Sequence, residues 1–277
     1  MSTQSSPSRR LPVLFVSHGS PMLAVEPGEA GLALQQFGRQ LRAGAVPLRG
    51  VVLMSAHWMA PQPTVMTHPA PATWHDFGGF PSALYRLQYP APGSPALAQQ
   101  VLDLLTQAGL PAAADAKRPF DHGAWVPLLH LLPQADVPVV QLALPAGAGP
   151  AEVYALGQAL RPLREQGVLL IGSGSMTHNL HDVFAGEVVI DAPAMPYVEA
   201  FSRWMSEHIE AQDLPALLRY RELAPHAVRA HPSDEHFLPL FFALGAAGLG
   251  TIEAPRVDYL THEVQYGALA MDSLALQ

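Results

Sequence analysis

The chain has 277 residues, 49% hydrophobic and only 14% charged, so it can bury a large core and has few charges to solubilise extended segments. A net charge of −8, with no basic run and Lys117 the only lysine, excludes a nucleic-acid interface, and the lack of cysteine excludes disulfides, thiolate metal sites and a cysteine nucleophile. Twenty-eight prolines and 22 glycines fit a domain with many ordered loops, which favours an enzyme.

Residues 1–10 are polar and read as a disordered tail, leaving residues 11–277 as a single catalytic domain. The apolar run Leu11–Ser17 has no cleavage-site pattern and is predicted to be a first strand rather than a signal peptide. It leads into Ser17-His18-Gly19-Ser20. No apolar stretch reaches transmembrane length free of Gly, Pro or charge, so no membrane partner and a cytoplasmic location are expected. A helix follows at Gly28–Arg42, then a second strand, Gly50–Ala56, ending at His57.

Pro61 to Pro92 is a long connection rich in proline, aromatics and histidine, and a loop of that length is usually functional. Its Trp74, Phe77, Phe80 and Tyr85 suit a pocket wall or ordinary core equally well. A helix is predicted at Ser94–Ala108, and Asp121-His122-Gly123-Ala124-Trp125 marks a loop-to-helix junction. Strands at Val137–Leu144 and Gly167–Ile171 flank a helix near Pro150–Glu165, and further helices are predicted at Pro193–Ala211 and Asp234–Ala246. The stretch Thr251–Leu274 alternates enough for one or two closing strands. With no repeat or linker, this alternation predicts a single α/β domain, a central mixed β-sheet flanked by helices on both faces.

Thirteen histidines without cysteine make histidine the candidate for chemistry. His18 and His57 each follow an apolar strand, and ligands of open α/β sheets bind outside the carboxyl ends of strands. Either alone would read as a strand cap; together they favour a metal. The loop Gly172-Ser173-Gly174-Ser175 leads from a third strand to His178 and lacks the Lys-Ser/Thr ending of a phosphate loop. His181 reads as surface or a supporting group, His231 as structural, and His236 as the start of a helix whose acidic first turn suits the dipole. His122 sits beside an aromatic at its junction, and the remaining histidines have no supporting context. An all-nitrogen set fits Zn(II) or non-heme Fe(II), and imidazole does not discriminate between them.

Ser17-His18-Gly19-Ser20-Pro21, Ser55-Ala56-His57-Trp58, Phe77-Gly78-Gly79-Phe80-Pro81, Tyr89-Pro90-Ala91-Pro92-Gly93, Asp121-His122-Gly123-Ala124-Trp125, Thr177-His178-Asn179-Leu180 and Glu235-His236-Phe237-Leu238-Pro239-Leu240 occur in one order along the chain. In this they resemble the DOPA 4,5-dioxygenase (extradiol) family of the class III, LigB-type ring-opening dioxygenases. The resemblance implies that His18, His57 and His236 ligate a metal, that His178 is a fourth ligand or the base facing substrate, and that His122 lines the pocket. It implies zinc in the resting protein and ferrous iron for ring cleavage, with a catechol and O2 as substrates. The protein would be a monomer or a small homo-oligomer.

Two rivals remain at this stage. A zinc hydrolase would use the same histidines to activate water, with His178 or Glu235 as base, and would work without O2. A non-enzymatic metal-binding protein on the same scaffold would bind partners without turnover. If the catechol carried a carboxylate, Arg86, Arg118 and Arg229 are candidate partners, because guanidinium suits bidentate carboxylate binding.

Overall fold

The computed structural model describes residues 10–185 and 188–277; the predicted disordered tail therefore falls almost wholly outside the described residues. Its strands are β1 Val13–Ser17, β2 Gly50–Ala60, β3 Thr64–Met66, β4 Ala113–Asp115, β5 Val139–Pro145, β6 Val168–Gly174, β7 Val257–Thr261, β8 Val264–Gln265, β9 Leu269–Ala270 and β10 Ser273–Leu276. Eight of them form one sheet in the order β4-β3-β5-β2-β6-β1-β10-β7, while β8 and β9 pair separately. The central four, β5, β2, β6 and β1, run parallel. Antiparallel partners close both sides, β3 against β5 and β10 against β1, so the sheet is mixed, as expected.

Parallel strands covered on both faces read as continuous apolar runs, and successive side chains point to opposite faces. Val13, Phe15, Val52 and Met54 pack into one core with the helices α2 Pro95–Gln107, α4 Pro150–Leu160, α6 Pro196–Glu210 and α10 Leu238–Ala247. Leu14, Val16, Val51 and Leu53 pack into the other, with α1 Gly28–Ala43 and α3 His122–Leu131. Short helices α5 Leu180–Phe184, α7 Leu214–Leu218, α8 Tyr220–Leu223 and α9 Ala227–Ala230 complete the α-helices of the described residues, with 3-10 turns at Pro21–Ala24 and Leu84–Arg86. No helix among the described residues is long and apolar enough to cross a membrane.

Several predicted boundaries shift for local reasons. Ser94 caps α2 from outside, its hydroxyl accepting from the Leu97 amide at 3.1 Å. The helix expected to reach Glu165 tightens into a 3-10 turn over Arg161–Gln166, where Pro162 removes a donor. The helix expected from Asp234 begins only at Leu238, where Pro239 occupies the first turn. Residues 234–237 are instead a turn closed by the Phe237 amide on the Asp234 carbonyl at 2.9 Å, and the Asp234 carboxylate pairs with Arg221. The closing segment holds four short strands rather than one or two.

Candidate metal centre

The neighbouring strands β2, β6 and β1 bring their carboxyl ends to one edge of the sheet. His18 is the first residue past β1, its amide donating to the Gly174 carbonyl at 3.0 Å. His57 lies inside β2, which was expected to stop before it. The register against β5 passes from Ser55↔Ala143 directly to Met59↔Leu144, so Ala56, His57 and Trp58 form a bulge that lifts His57 out of the ladder. The Asp121 carboxylate braces this bulge from below. It accepts from the Ser55 hydroxyl at 2.6 Å, Arg118 at 2.7 Å and Gln141 at 2.9 Å.

His236 comes from the turn before α10. Its carbonyl accepts from the Ser175 amide at 2.8 Å, just beyond β6. That approach requires glycine at 174, since a Cβ there would lie 2.0 Å from the same carbonyl oxygen. His178 follows four residues after β6, its amide fixed to the Ala230 carbonyl at 2.9 Å. His122 opens α3, with Asp121 as the cap.

The rings converge. His57 Nε2 lies 3.0 Å from His18 Nε2 and 3.2 Å from His236 Nε2. Ring nitrogens of His18, His57 and His122 lie within 4.8 Å of one another, as do ligand atoms of His178, Glu235 and His236, and His57 joins the two groups. The His57 and His122 ring centroids are 3.9 Å apart, and His178 stacks flat on His236 at 3.6 Å.

The outer nitrogens determine which atoms face inward. The Ser173 hydroxyl spends its proton on the Gly123 carbonyl, so at His18 Nδ1, 3.0 Å away, it must accept. The carboxylates of Glu235, 3.0 Å from His236 Nδ1, and Asp76, 2.9 Å from His122 Nδ1, accept as well. All three rings therefore carry hydrogen on Nδ1 and turn Nε2 toward the interior. Nε2 atoms that converge at such separations, on imidazoles with oxygen partners behind them, are the arrangement a nitrogen-bound metal uses. The donor set fits a divalent metal.

Electrostatics agree. Burial, reinforced by the neighbouring imidazoles, holds His18 well below its ordinary value. Burial lowers His57 to about 4 despite Asp121 and Asp76, and His236 to about 3 despite the hydrogen bond to Glu235. His178 is lowered by the same cause. The hydrogen bond from His236 holds Glu235 down at about 2 against its own burial. These imidazoles are neutral at neutral pH, the form that binds metal.

His18, His57, His122, His178 and His236 line one cavity of about 580 Å³. Phe77 and Phe80 wall it, and Tyr85 stands behind Phe77 with ring centroids 5.3 Å apart. Trp74 lies outside it: its ring meets the Arg118 guanidinium at 5.0 Å and its carbonyl takes the Trp125 indole proton at 3.0 Å. None of the three candidate arginines lines the cavity. Arg118 is committed to Asp121 and the His57 carbonyl, Arg229 pairs with Asp182, and Arg86 reaches Ser82. His181 is exposed, and His231 is buried with Nε2 2.8 Å from the Met176 carbonyl, a structural role. Sequence reading gave no role to Asp76, Asp121 or Ser173. Asp76 lies within the Trp74–Pro81 aromatic block, which was its only signal.

The chain matches the model of the catalytic LigB subunit of aromatic ring-opening dioxygenases over residues 12–268. It is 40% identical to the 4,5-DOPA dioxygenase extradiol of Beta vulgaris over 84% of this chain and 86% of that protein. It is 35% identical to the Escherichia coli K12 protein of the same name, over 97% and 96%. The crystal structure of an uncharacterized protein from Escherichia coli K12 superposes with a TM-score of 0.77 at 28% identity, covering 97% of this chain and all of that one. With the family motifs placed around a histidine site built to take a metal, the chain belongs to the LigB family of aromatic ring-opening dioxygenases.

Proposed function

We propose that the chain is an extradiol dioxygenase that opens a catechol ring beside its two hydroxyls with both atoms of O2. His18, His57 and His236 would hold the metal, ferrous for turnover and zinc at rest. The observation that carries this reading is the convergence of the Nε2 atoms of His18, His57 and His236 at the floor of an aromatic-walled cavity. Bound Fe(II) supplies an electron path between catecholate and O2 that zinc, without a redox couple, cannot supply.

The chain's own residues bind, orient and move protons. Burial keeps His178 neutral although its ring meets its own backbone, and no other side chain holds its ring nitrogens by a hydrogen bond among the described residues, so it can take a proton from a catechol hydroxyl. His122, fixed by Asp76, presents Nε2 to the same space and accepts a hydrogen bond from the substrate. Phe77 and Phe80 exclude water from the opening ring.

Anaerobic reconstitution with Fe(II), followed by O2 and a catechol, tests the reading. A yellow ring-opened product should form with iron and not with zinc. Ester or amide hydrolysis by the zinc form without O2 would favour the hydrolase instead.

A further inference from the structure

The cavity above the histidines has no charged wall among the described residues. Among the described residues lining it there is no lysine, arginine, aspartate or glutamate. Of the serines at its edge, Ser175 donates to the Thr177 carbonyl at 2.7 Å, and Ser20, neutral, accepts from the Met22 amide at 3.2 Å. The Tyr266 hydroxyl is the remaining neutral polar side chain outside the histidines among the described lining residues. Asp76 and Glu235 stand behind His122 and His236 and accept their Nδ1 protons, so they offer an ammonium little from within the cavity.

The side away from the histidines is apolar. Leu180, Val183 and Phe184 of α5, with Val188 beyond it, form a wall whose outer members remain open to solvent, Phe184 at 69%, Val188 at 51% and Leu180 at 44% exposed. Exposed side chains of this size on one side of a cleft lose contact with water only when something apolar covers them. A catechol held by its hydroxyls at the histidines would leave much of the 580 Å³ unfilled, and its ring substituent would lie against this wall. A carboxylate placed there would cover none of this apolar surface and would find no cation among the described lining residues to receive it.

We propose that the substrate is a catechol whose ring substituent is uncharged and apolar, an alkyl or aryl group, rather than a zwitterionic amino-acid side chain. The α5 wall is the specificity element. This rests on the catechol-cleaving assignment above, and equilibrium binding to the zinc-loaded protein separates the two.

The probes are 4-butylcatechol and L-DOPA, titrated calorimetrically without oxygen against the zinc form and then assayed for cleavage by the iron form. Butylcatechol should bind at least about tenfold more tightly, on the scale by which apolar pockets rank substituents. Phe184 is exposed, so Phe184→Ala should leave the fold intact, and it should narrow that ratio several-fold. Tighter butylcatechol binding without cleavage by iron would uphold the substituent preference and sink the ring-opening reading. Equal or tighter binding of L-DOPA, no measurable binding of either, or an unchanged ratio in the Phe184→Ala protein would overturn the inference.

Discussion

His178 and His236 lie face to face, yet their surroundings assign them different work. His236 has Glu235 behind it and His57 Nε2 before it, whereas the His178 ring is held only by stacking and by its backbone. A ring tethered in this way can approach a substrate hydroxyl without giving up a partner on another side chain. His178→Ala should therefore keep most of its iron by metal analysis and lose ring cleavage by roughly a hundred- to ten-thousand-fold. Parallel loss of iron would make His178 a ligand. Asp76 makes a related case, because one carboxylate oxygen takes both the backbone and Nδ1 protons of His122. Asp76→Asn can present an amide proton in place of the acceptor and turn the His122 ring. We expect about a ten- to hundred-fold loss of turnover with metal content retained, in the range for a partner behind an active-site histidine. His18, His57 and His178 were legible because each comes at or after the end of an apolar strand run, and His122 and His236 because each sits at or just before a helix start, while Asp76 and Ser173 act only through folding contacts that no spacing encodes.

At the scale of elements, the site depends on how closely α10 and the end of β6 approach. Gly174 admits the His236 carbonyl and Gly172 admits that of Pro239, where added Cβ atoms would each lie 2.0 Å from oxygen. Backbone cannot retreat as a flexible side chain can. Gly174→Ala should destabilise the protein by about 1–3 kcal/mol or more, as overpacking does, and should lower metal content because His236 is displaced. Unchanged melting and full metal occupancy would show that the turn yields freely. The central strands β1, β2, β5 and β6 and the long amphipathic helices α1, α2 and α6 were legible from their apolar runs and period, whereas β3 and β4, three residues each, were too short to read. The start of α10 was misplaced because Asp234 and Glu235 look like an acidic first turn; they serve Arg221 and His236 instead. The helices α3 and α10 are buried on nearly every side, so they show no amphipathic stripe to read. The bulge in β2 was equally invisible, since it is defined only by the partner strand.

For the whole molecule, the imidazoles that make a metal site also tie stability to pH. His57 stands at about 4, His236 and the structural His231 at about 3, and His18 well below its ordinary value, each chiefly through burial. In the unfolded chain the same groups titrate near 6.5. Between those limits the unfolded state binds more protons, so this contribution to stability is complete above about pH 6.5 and is lost as pH falls toward 3 to 4. Each such group steepens the dependence by about 1.4 kcal/mol per pH unit. A divalent ion adds stability by binding only the folded state, and protons compete for its ligands, so its contribution also shrinks in acid. Metal-free protein should therefore melt at progressively lower temperature from about pH 6.5 downward, and the rise in melting temperature given by zinc should diminish over the same range. His231→Gln separates the two contributions, because an amide can still donate to the Met176 carbonyl and cannot titrate. The metal-free variant should be less stable near neutrality from poorer packing, with a shallower acid slope by about one group's share, while the zinc-induced rise persists. An unaltered slope would mean that His231 takes up its proton within the folded core.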